Sequence, residues 1–247
     1  HDINHGVVSS KMRYRVDNMK EEFVKELDNA IAKHALLDHP FYQMWNKGEL
    51  PMEALKEYAK QYYSHVRVFP RYLSACHSQC DDIEVRQLLL ENMCEEDMGA
   101  KNHPELWLRF VEGLGVSRED AKNSTPLPST VESVETMKKL TSSDDYLEGV
   151  AALYAYESQV PEVAETKRKG LAKFYNVKDP RAVEFFTVHE EADLVHRKIE
   201  QDILVNGCKN EESRKKAIDA AESAAKALYG FLDGVFDAYI EPTCCNN

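Results

Sequence analysis

Apolar residues recur with helical spacing along almost the whole chain, and almost no segment alternates with the period of two typical of a half-buried strand. Between residues 16 and 37, for example, apolar side chains recur three to five positions apart. Ten glycines and nine prolines leave few positions that interrupt such a pattern. The pattern therefore predicts an all-α fold, a single compact bundle of about seven main helices.

Prolines, glycines and capping residues divide this pattern into separate helices. No connector is long enough to act as a domain linker, so we expect one domain over residues 15–241. Residues 1–14 are expected to be a disordered or added leader, and residues 242–247 a polar tail. We expect kinks at Pro70 and Pro161. The predicted helices cover residues 16–37, 41–45, 51–80, 83–98, 104–114, 118–121, 129–140, 146–175, 180–206 and 211–240.

Composition limits the classes of function. The formal net charge of -12 argues against nucleic-acid binding, which needs a basic surface, and against binding to an anionic membrane surface. The longest apolar runs are far shorter than a transmembrane helix requires. Six cysteines show no repeating Cys-x-x-Cys framework. This pattern favours free thiols in a reducing cytoplasm.

The stretch that precedes Glu157 is apolar nearly all round a helix. Residues 149–156 read Gly-Val-Ala-Ala-Leu-Tyr-Ala-Tyr, and such a helix belongs in a core. A carboxylate that directly follows it is costly to bury unless it is neutralised, hydrogen-bonded or bound to a cation. Glu157 is therefore a candidate metal ligand, although an acid paired with Lys or Arg at the edge of the core would explain it equally well.

A second candidate group lies between residues 185 and 196. At about 100° per residue, His189, Asp193 and His196 fall within roughly a 60° arc of one helix face. Glu190 and Glu191 rotate away from that face. Two imidazoles and one carboxylate along a single stripe resemble half of a metal site.

Glu96 and His103 are seven residues apart, and a continuous helix would place them on one face. Gly99 and Pro104 leave that continuity open. Hard oxygen ligands mixed with imidazoles suit iron or manganese, and their number suits two metal ions. Structural zinc would favour cysteine, and calcium would favour oxygen ligands alone. The alternative is that these are ordinary core or surface residues. The full candidate set is Glu96, His103, Glu157, His189, Asp193 and His196.

Four stretches of the chain resemble a known family. They are LDHPFY at residues 37–42, FPRYLSA at 69–75, GVAALYAYESQVP at 149–161 and HEEAD at 189–193. They resemble the family of the chlamydial protein associating with death domains and its bacterial relatives, which are haem-oxygenase-like dimetal oxidases. The resemblance extends over residues 16–237. It implies a haem-oxygenase-like bundle, related to the TenA proteins and to the enzyme that closes the pyrroloquinoline quinone rings.

This resemblance implies that the same six residues bind two metal ions, Fe/Fe or Mn/Fe, with molecular oxygen as co-substrate. It implies synthesis of para-aminobenzoate for folate from the protein's own side chains, with the ring supplied by Tyr42 and the amino group by Lys167. Tyr58 and Tyr156 match tyrosines of the family that are expected near the metals as radical relays. Judged from the sequence pattern alone, Tyr42 would be a core aromatic and Lys167 a solvated lysine.

Several alternatives stay open. A related dimetal oxidase would act on an external amino acid or fatty acid. A host death-domain-binding protein would use the acidic helical surface, and it would be secreted into a host cell if the source is an intracellular bacterium. Thiaminase chemistry would need a reactive thiol, but a buried helical cysteine is more often inert. Haem would need one axial histidine and would leave the other site residues unexplained. We also expect a homodimer.

Overall fold

The computed structural model describes the backbone of residues 3–240 and the side chains of residues 10–240. This part of the chain forms twelve α-helices and a short 3-10 turn at Leu36–Asp38. The all-α class predicted from the sequence is confirmed. The helices are α1 Ile3–Ala32, α2 Pro40–Lys47, α3 Met52–Val66, α4 Phe69–Ser78, α5 Ile83–Asp97, α6 His103–Gly113, α7 Arg118–Asn123, α8 Pro128–Thr141, α9 Tyr146–Glu157, α10 Val160–Phe174, α11 Pro180–Gly207 and α12 Glu211–Tyr239.

The described part of the structure has twelve helices where the sequence pattern predicts ten ranges, because two long predicted helices are each divided in two. Pro70 lies in the first turn of α4, and Pro161 lies in the first turn of α10. A proline at that position loses no helical hydrogen bond, because the first N–H groups of a helix have no partner within it. The expected kinks at both prolines are therefore wrong, and each proline lies in the first turn of a new helix.

The helix α1 begins at Ile3, well before the expected start near residue 16. The backbone of residues 3–14 is thus helical in the structure, and the expectation that residues 1–14 are a disordered or added leader stays a prediction. The side chains of residues 10–19 are exposed, and Phe23 is the first buried residue of α1 among those whose side chains are described. The expected polar tail at residues 242–247 lies outside the described residues.

The helix α9 forms the centre of the bundle. All of its residues from Gly149 to Glu157 are buried, as the apolar block predicts. It packs against α12, α11 and α8. In addition, α11 contacts α5, α6 and α10, so it lies where helices from distant parts of the chain converge. Within residues 3–240, no helix combines the length and the apolar character needed to cross a membrane.

Gly149 permits a close approach between α9 and its neighbours. A Cβ atom at this position would lie 2.9 Å from the Cys76 sulfur and 3.3 Å from the Thr141 Cα atom. By contrast, a Cβ atom at Gly230 on α12 would meet nothing within 4 Å.

The four cysteines of the described part, Cys76, Cys80, Cys94 and Cys208, are free thiols.

The same glycine-to-alanine substitution should therefore have opposite effects at these two positions. Gly149→Ala should lower the free energy of unfolding by about 1 kcal/mol or more, because overpacking outweighs the gain in helix propensity. Gly230→Ala should raise it by roughly 0.5 to 1 kcal/mol, because only the propensity changes. Urea unfolding measures both values, and a stabilising Gly149→Ala would contradict the packing described for α9.

Candidate metal centre

The six candidate ligands lie together as two groups of three. Site A consists of Glu96, His103 and His189, and site B consists of Glu157, Asp193 and His196. In each site, one potential ligand atom from every residue lies within 4.8 Å of the others. All six residues are buried. The helix α11 contributes to both sites, α5 and α6 complete site A, and α9 completes site B.

Glu96 and His103 reach site A from two helices, not from one continuous helix. The helix α5 ends at Asp97, and α6 begins at His103 with the Asn102 side chain accepting a hydrogen bond from the Glu105 N–H. Gly99 adopts a φ of 81° between the two helices, which glycine tolerates because it has no Cβ. The resulting turn brings His103 Nδ1 to 2.8 Å from Glu96 Oε1.

His189 is prepared to bind a cation. Its Nδ1 donates to the Phe185 carbonyl oxygen at 2.6 Å, which fixes the proton on that nitrogen. Burial lowers the pKa of this imidazole to about 4, so it is neutral near pH 7 and its Nε2 carries a lone pair. A ligating histidine usually has its other ring nitrogen held by such a hydrogen bond.

In site B, His196 lies between two carboxylates. Its Nδ1 is 2.8 Å from Glu157 Oε2 and 3.0 Å from Asp193 Oδ1. Burial opposes protonation of this imidazole, but the hydrogen bonds to Asp193 and Glu157 prevail and raise its pKa to about 11. The protonated imidazole thus supplies the positive charge that a metal ion bound by Glu157 and Asp193 would otherwise supply.

Glu95 and Asn92 orient the residues of site B, and the sequence did not indicate either. Glu95 Oε2 lies 2.8 Å from His196 Nε2, so a metal-bound imidazole could donate its remaining N–H to this carboxylate. The Asn92 amide donates to both carboxylate oxygens of Glu157, at 3.1 and 3.3 Å. Asn92 lies one turn before Glu96 on α5, and this spacing is the signal that could have identified it.

The chemistry of these residues fits two divalent cations. Burial raises the pKa of the Glu96 carboxyl to about 7, and the charges of Glu157 and Asp193 add to that rise. His103 Nδ1 lies close to Glu96, but it makes no hydrogen bond of acceptable geometry. A cation held between Glu96 and His103 would give this nitrogen a partner. Carboxylate oxygens with imidazole nitrogens are ligands that iron and manganese accept.

Lys167 lies in a separate aromatic chamber and is only 4% exposed, so the solvated lysine that the sequence pattern indicated is wrong. The turn at Ser158 and Gln159 redirects α10, which then faces the bundle with Val163, Ala164, Lys167, Gly170 and Leu171. Lys167 Nζ lies 5.2 Å from the ring centroid of Tyr42. Burial lowers the pKa of this amine to about 7, and no described carboxylate opposes the shift.

Four tyrosines connect this chamber with the metal centre. The hydroxyl groups of Tyr42 and Tyr58 are 2.9 Å apart, and those of Tyr62 and Tyr156 are 2.6 Å apart. The rings of Tyr58 and Tyr62 stack with their centroids 5.7 Å apart. Tyr62 and Tyr156 line both the cavity beside the metal ligands and the chamber around Lys167. The sequence did not indicate Tyr62, although it lies one turn beyond Tyr58.

Both inner cavities are small. The cavity beside the metal ligands measures ≈ 20 Å³ and the Lys167 chamber ≈ 30 Å³, which is room for about one or two water molecules each. A cleft of ≈ 470 Å³ opens to solvent between α1, α10 and α11, and it shares Leu36 and Val163 with the Lys167 chamber. The chemistry-bearing residues thus lie in the small enclosed cavities, behind the open cleft.

Comparisons with known proteins agree with this architecture. The model of the TENA/THI-4/PQQC family matches residues 25–238. A protein of Chlamydia muridarum named 4-aminobenzoate synthase is 42% identical over 235 residues, which cover 95% of this chain and 97% of that protein. A protein of Nitrosomonas europaea with the same name is 38% identical over 232 residues, 90% of this chain and 94% of its own.

The solved structures show the same fold. A domain of unknown function from Shewanella denitrificans, described as having a heme oxygenase-like fold, matches with a TM-score of 0.72 at 18% identity. The match covers 93% of this chain and 92% of that domain. The haem-oxygenase-like fold and the family resemblance predicted from the sequence are confirmed.

The two sites should lose their ions separately. Chelator-treated protein should bind two Fe²⁺ ions per chain under anaerobic conditions, because each site offers three ligands. Glu96→Gln should remove the ion of site A and Glu157→Gln that of site B, each leaving about one ion per chain, because an amide is a poor substitute for a carboxylate ligand. Elemental analysis after desalting measures the content.

Glu191→Gln provides the matched control, because Glu191 lies on α11 with an exposed side chain. It should retain both ions. Two ions retained by Glu96→Gln or by Glu157→Gln would contradict the assignment of that residue to its site.

Proposed function

The chain belongs to the TENA/THI-4/PQQC family, and we propose that it is a 4-aminobenzoate synthase. In this proposal it is an oxygen-dependent dimetal oxidase that forms para-aminobenzoate for folate from its own side chains. Tyr42 supplies the ring and Lys167 supplies the amino group. The observation that carries the proposal is the burial of the Lys167 amine against the Tyr42 ring, in a chamber joined to the metal centre by tyrosines.

Sites A and B would hold the two ions, as Fe/Fe or Mn/Fe. When bound, such ions activate molecular oxygen for the oxidation of a nearby phenol. The ligand set of three carboxylates and three imidazoles supports this pair of metals over structural zinc or calcium. Around the ions, the bundle excludes bulk water and orients the ligands through Glu95 and Asn92.

Lys167 is suited to donate nitrogen because its environment favours the neutral amine. Burial lowers its pKa to about 7, so a large fraction carries a free lone pair near neutral pH. Its backbone carbonyl oxygen accepts a hydrogen bond from Trp45 Nε1 at 3.2 Å. Gly170 admits the Trp45 ring, since a Cβ at this position would lie 2.6 Å from that ring. These contacts hold the amine beside Tyr42.

The roles proposed for Tyr58 and Tyr156 are those of relays between the metal centre and Tyr42. The hydrogen bond between the hydroxyl groups of Tyr58 and Tyr42 supports a relay at one end. The position of Tyr156, which adjoins Glu157 and lines both cavities, supports one at the other end. Tyr62 lies between them, stacked on Tyr58 and hydrogen-bonded to Tyr156.

The chamber size argues against an oxidase that acts on an external amino acid or fatty acid. Pockets for such ligands typically measure about 300 Å³ or more, whereas the Lys167 chamber measures ≈ 30 Å³. Thiaminase chemistry is disfavoured because burial raises the pKa of the Cys76 thiol to about 12. The free thiols support a reducing cytoplasm as the site of action. The homodimer and the death-domain partner stay predictions.

Substitution of the ring donor tests the self-sacrificing reaction. Tyr42→Phe should abolish the para-aminobenzoate that metal-loaded wild-type protein releases on exposure to oxygen with no added substrate, because the product ring would lack its oxidisable phenol. Tyr63→Phe serves as the control, since Tyr63 lies on α3 beside Arg67 and outside both cavities. Mass spectrometry of the released product measures the yield. Wild-type yield from Tyr42→Phe would contradict the proposal.

The reaction should also depend on pH through Lys167. Its amine is protonated below its pKa of about 7 and neutral above it. The initial rate of product formation should therefore rise as the pH increases from about 6 to about 8.5, with a midpoint near the pKa of the amine. Rapid-quench sampling over this range measures the profile. A rate that falls with rising pH would contradict the role of the neutral amine.

A further inference from the structure

Glu200 is a buried acid that the proposed function does not use. It lies on α11 one turn beyond His196, so it continues the stripe of His189, Asp193 and His196 on the same helix face. Glu200 is only 2% exposed. No donor group within the described part of the chain pairs with either of its carboxylate oxygens, and the hydrogen bond that Glu200 shares with Glu157 requires a proton on one of the two acids.

The surroundings of Glu200 do not explain a buried carboxylate. The charged or ionisable groups that act on it are Glu157, Asp193 and Cys76, and none of them is basic. A buried acid with a structural role normally accepts hydrogen bonds or pairs with a cation. In contrast, the neighbouring Glu157 is held by the Asn92 amide and by His196. Glu200 therefore has the burial expected of a metal ligand, and its contact is with a carboxylate of site B that a cation could hold together with it.

We propose that Glu200 is a further carboxylate ligand of the ion in site B, in addition to Glu157, Asp193 and His196. The inference rests on the metal centre of the proposed function, and it is independent of the product that the centre forms. It increases the difference between the two sites. Site B would have three carboxylates and one imidazole, whereas site A has one carboxylate and two imidazoles.

This inequality has a chemical consequence. A site with more carboxylates is harder and relatively better suited to Mn²⁺, whereas imidazole-rich ligand sets suit Fe²⁺. With only three protein ligands, site A also keeps more coordination positions open to small molecules than site B. Glu200 thus determines which half of the centre is closed by protein and which half stays accessible.

The test isolates site B by removing site A. Metal-free full-length protein carrying Glu96→Gln is titrated anaerobically with Fe²⁺ by calorimetry, with and without the additional substitution Glu200→Gln. We expect Glu96→Gln to bind one ion. We expect the double variant to have a dissociation constant at least about tenfold higher, as for the loss of a group at a metal site. Glu96→Gln with Glu191→Gln is the matched control and should bind as Glu96→Gln does.

A stability measurement separates this result from a folding defect. Without metal, Glu200→Gln should melt at or above the wild-type temperature, because it removes a buried acid that faces other acids. Saturating Fe²⁺ should raise the melting temperature of the wild type more than that of Glu200→Gln, because a ligand stabilises the fold in proportion to its affinity.

The outcomes distinguish the two proposals. An unchanged dissociation constant in the Glu96→Gln, Glu200→Gln double variant would overturn the role of Glu200 and leave the metal centre intact. Wild-type protein that binds no Fe²⁺ or Mn²⁺ would overturn the dimetal centre itself, and the role of Glu200 with it.

Discussion

The burial of acidic side chains at the centre of a helical bundle is the constraint on which the rest of the structure depends. Glu96, Glu157 and Asp193 are each no more than 4% exposed, and an unpaired buried carboxylate is costly. The imidazoles and the Asn92 amide pair with some of these carboxylate oxygens. Bound cations would offset the remaining repulsion between the carboxylates. The convergence of α5, α6, α9 and α11 on this point is thus explained by a metal centre more simply than by packing alone.

A second constraint is that Lys167 and the metal centre need different environments. The amine needs a dry, uncharged environment to stay neutral near pH 7, whereas the metal centre concentrates charge. The fold separates the two environments and joins them through the tyrosines that run from Tyr42 to Tyr156. This arrangement keeps the carboxylates away from the amine, because a carboxylate beside Lys167 would raise its pKa and hold it protonated.

The sequence predicted the parts of the site that lie on continuous helices. Helical periodicity alone aligned the ligands of α11, and the apolar block identified α9 as core. Helical periodicity could not predict the direction of the Lys167 side chain. The turn before α10 gives that helix a new direction, which depends on packing, including the close contact between Gly170 and Trp45. Tyr62 and Glu200 each lie one turn from a residue that the sequence singled out. Periodicity gave them no distinction, because it does not separate a buried polar side chain from an exposed one.

In the proposed reaction, the product's ring and amino group come from the polypeptide. Protein produced with nitrogen-15 lysine and carbon-13 tyrosine, loaded with metal in unlabelled buffer and exposed to oxygen without substrate, tests it by mass spectrometry of the released para-aminobenzoate. We expect product that carries both labels, at no more than one molecule per chain, with a matching loss of mass from the intact protein. Unlabelled product, or repeated turnover by one chain, would contradict it.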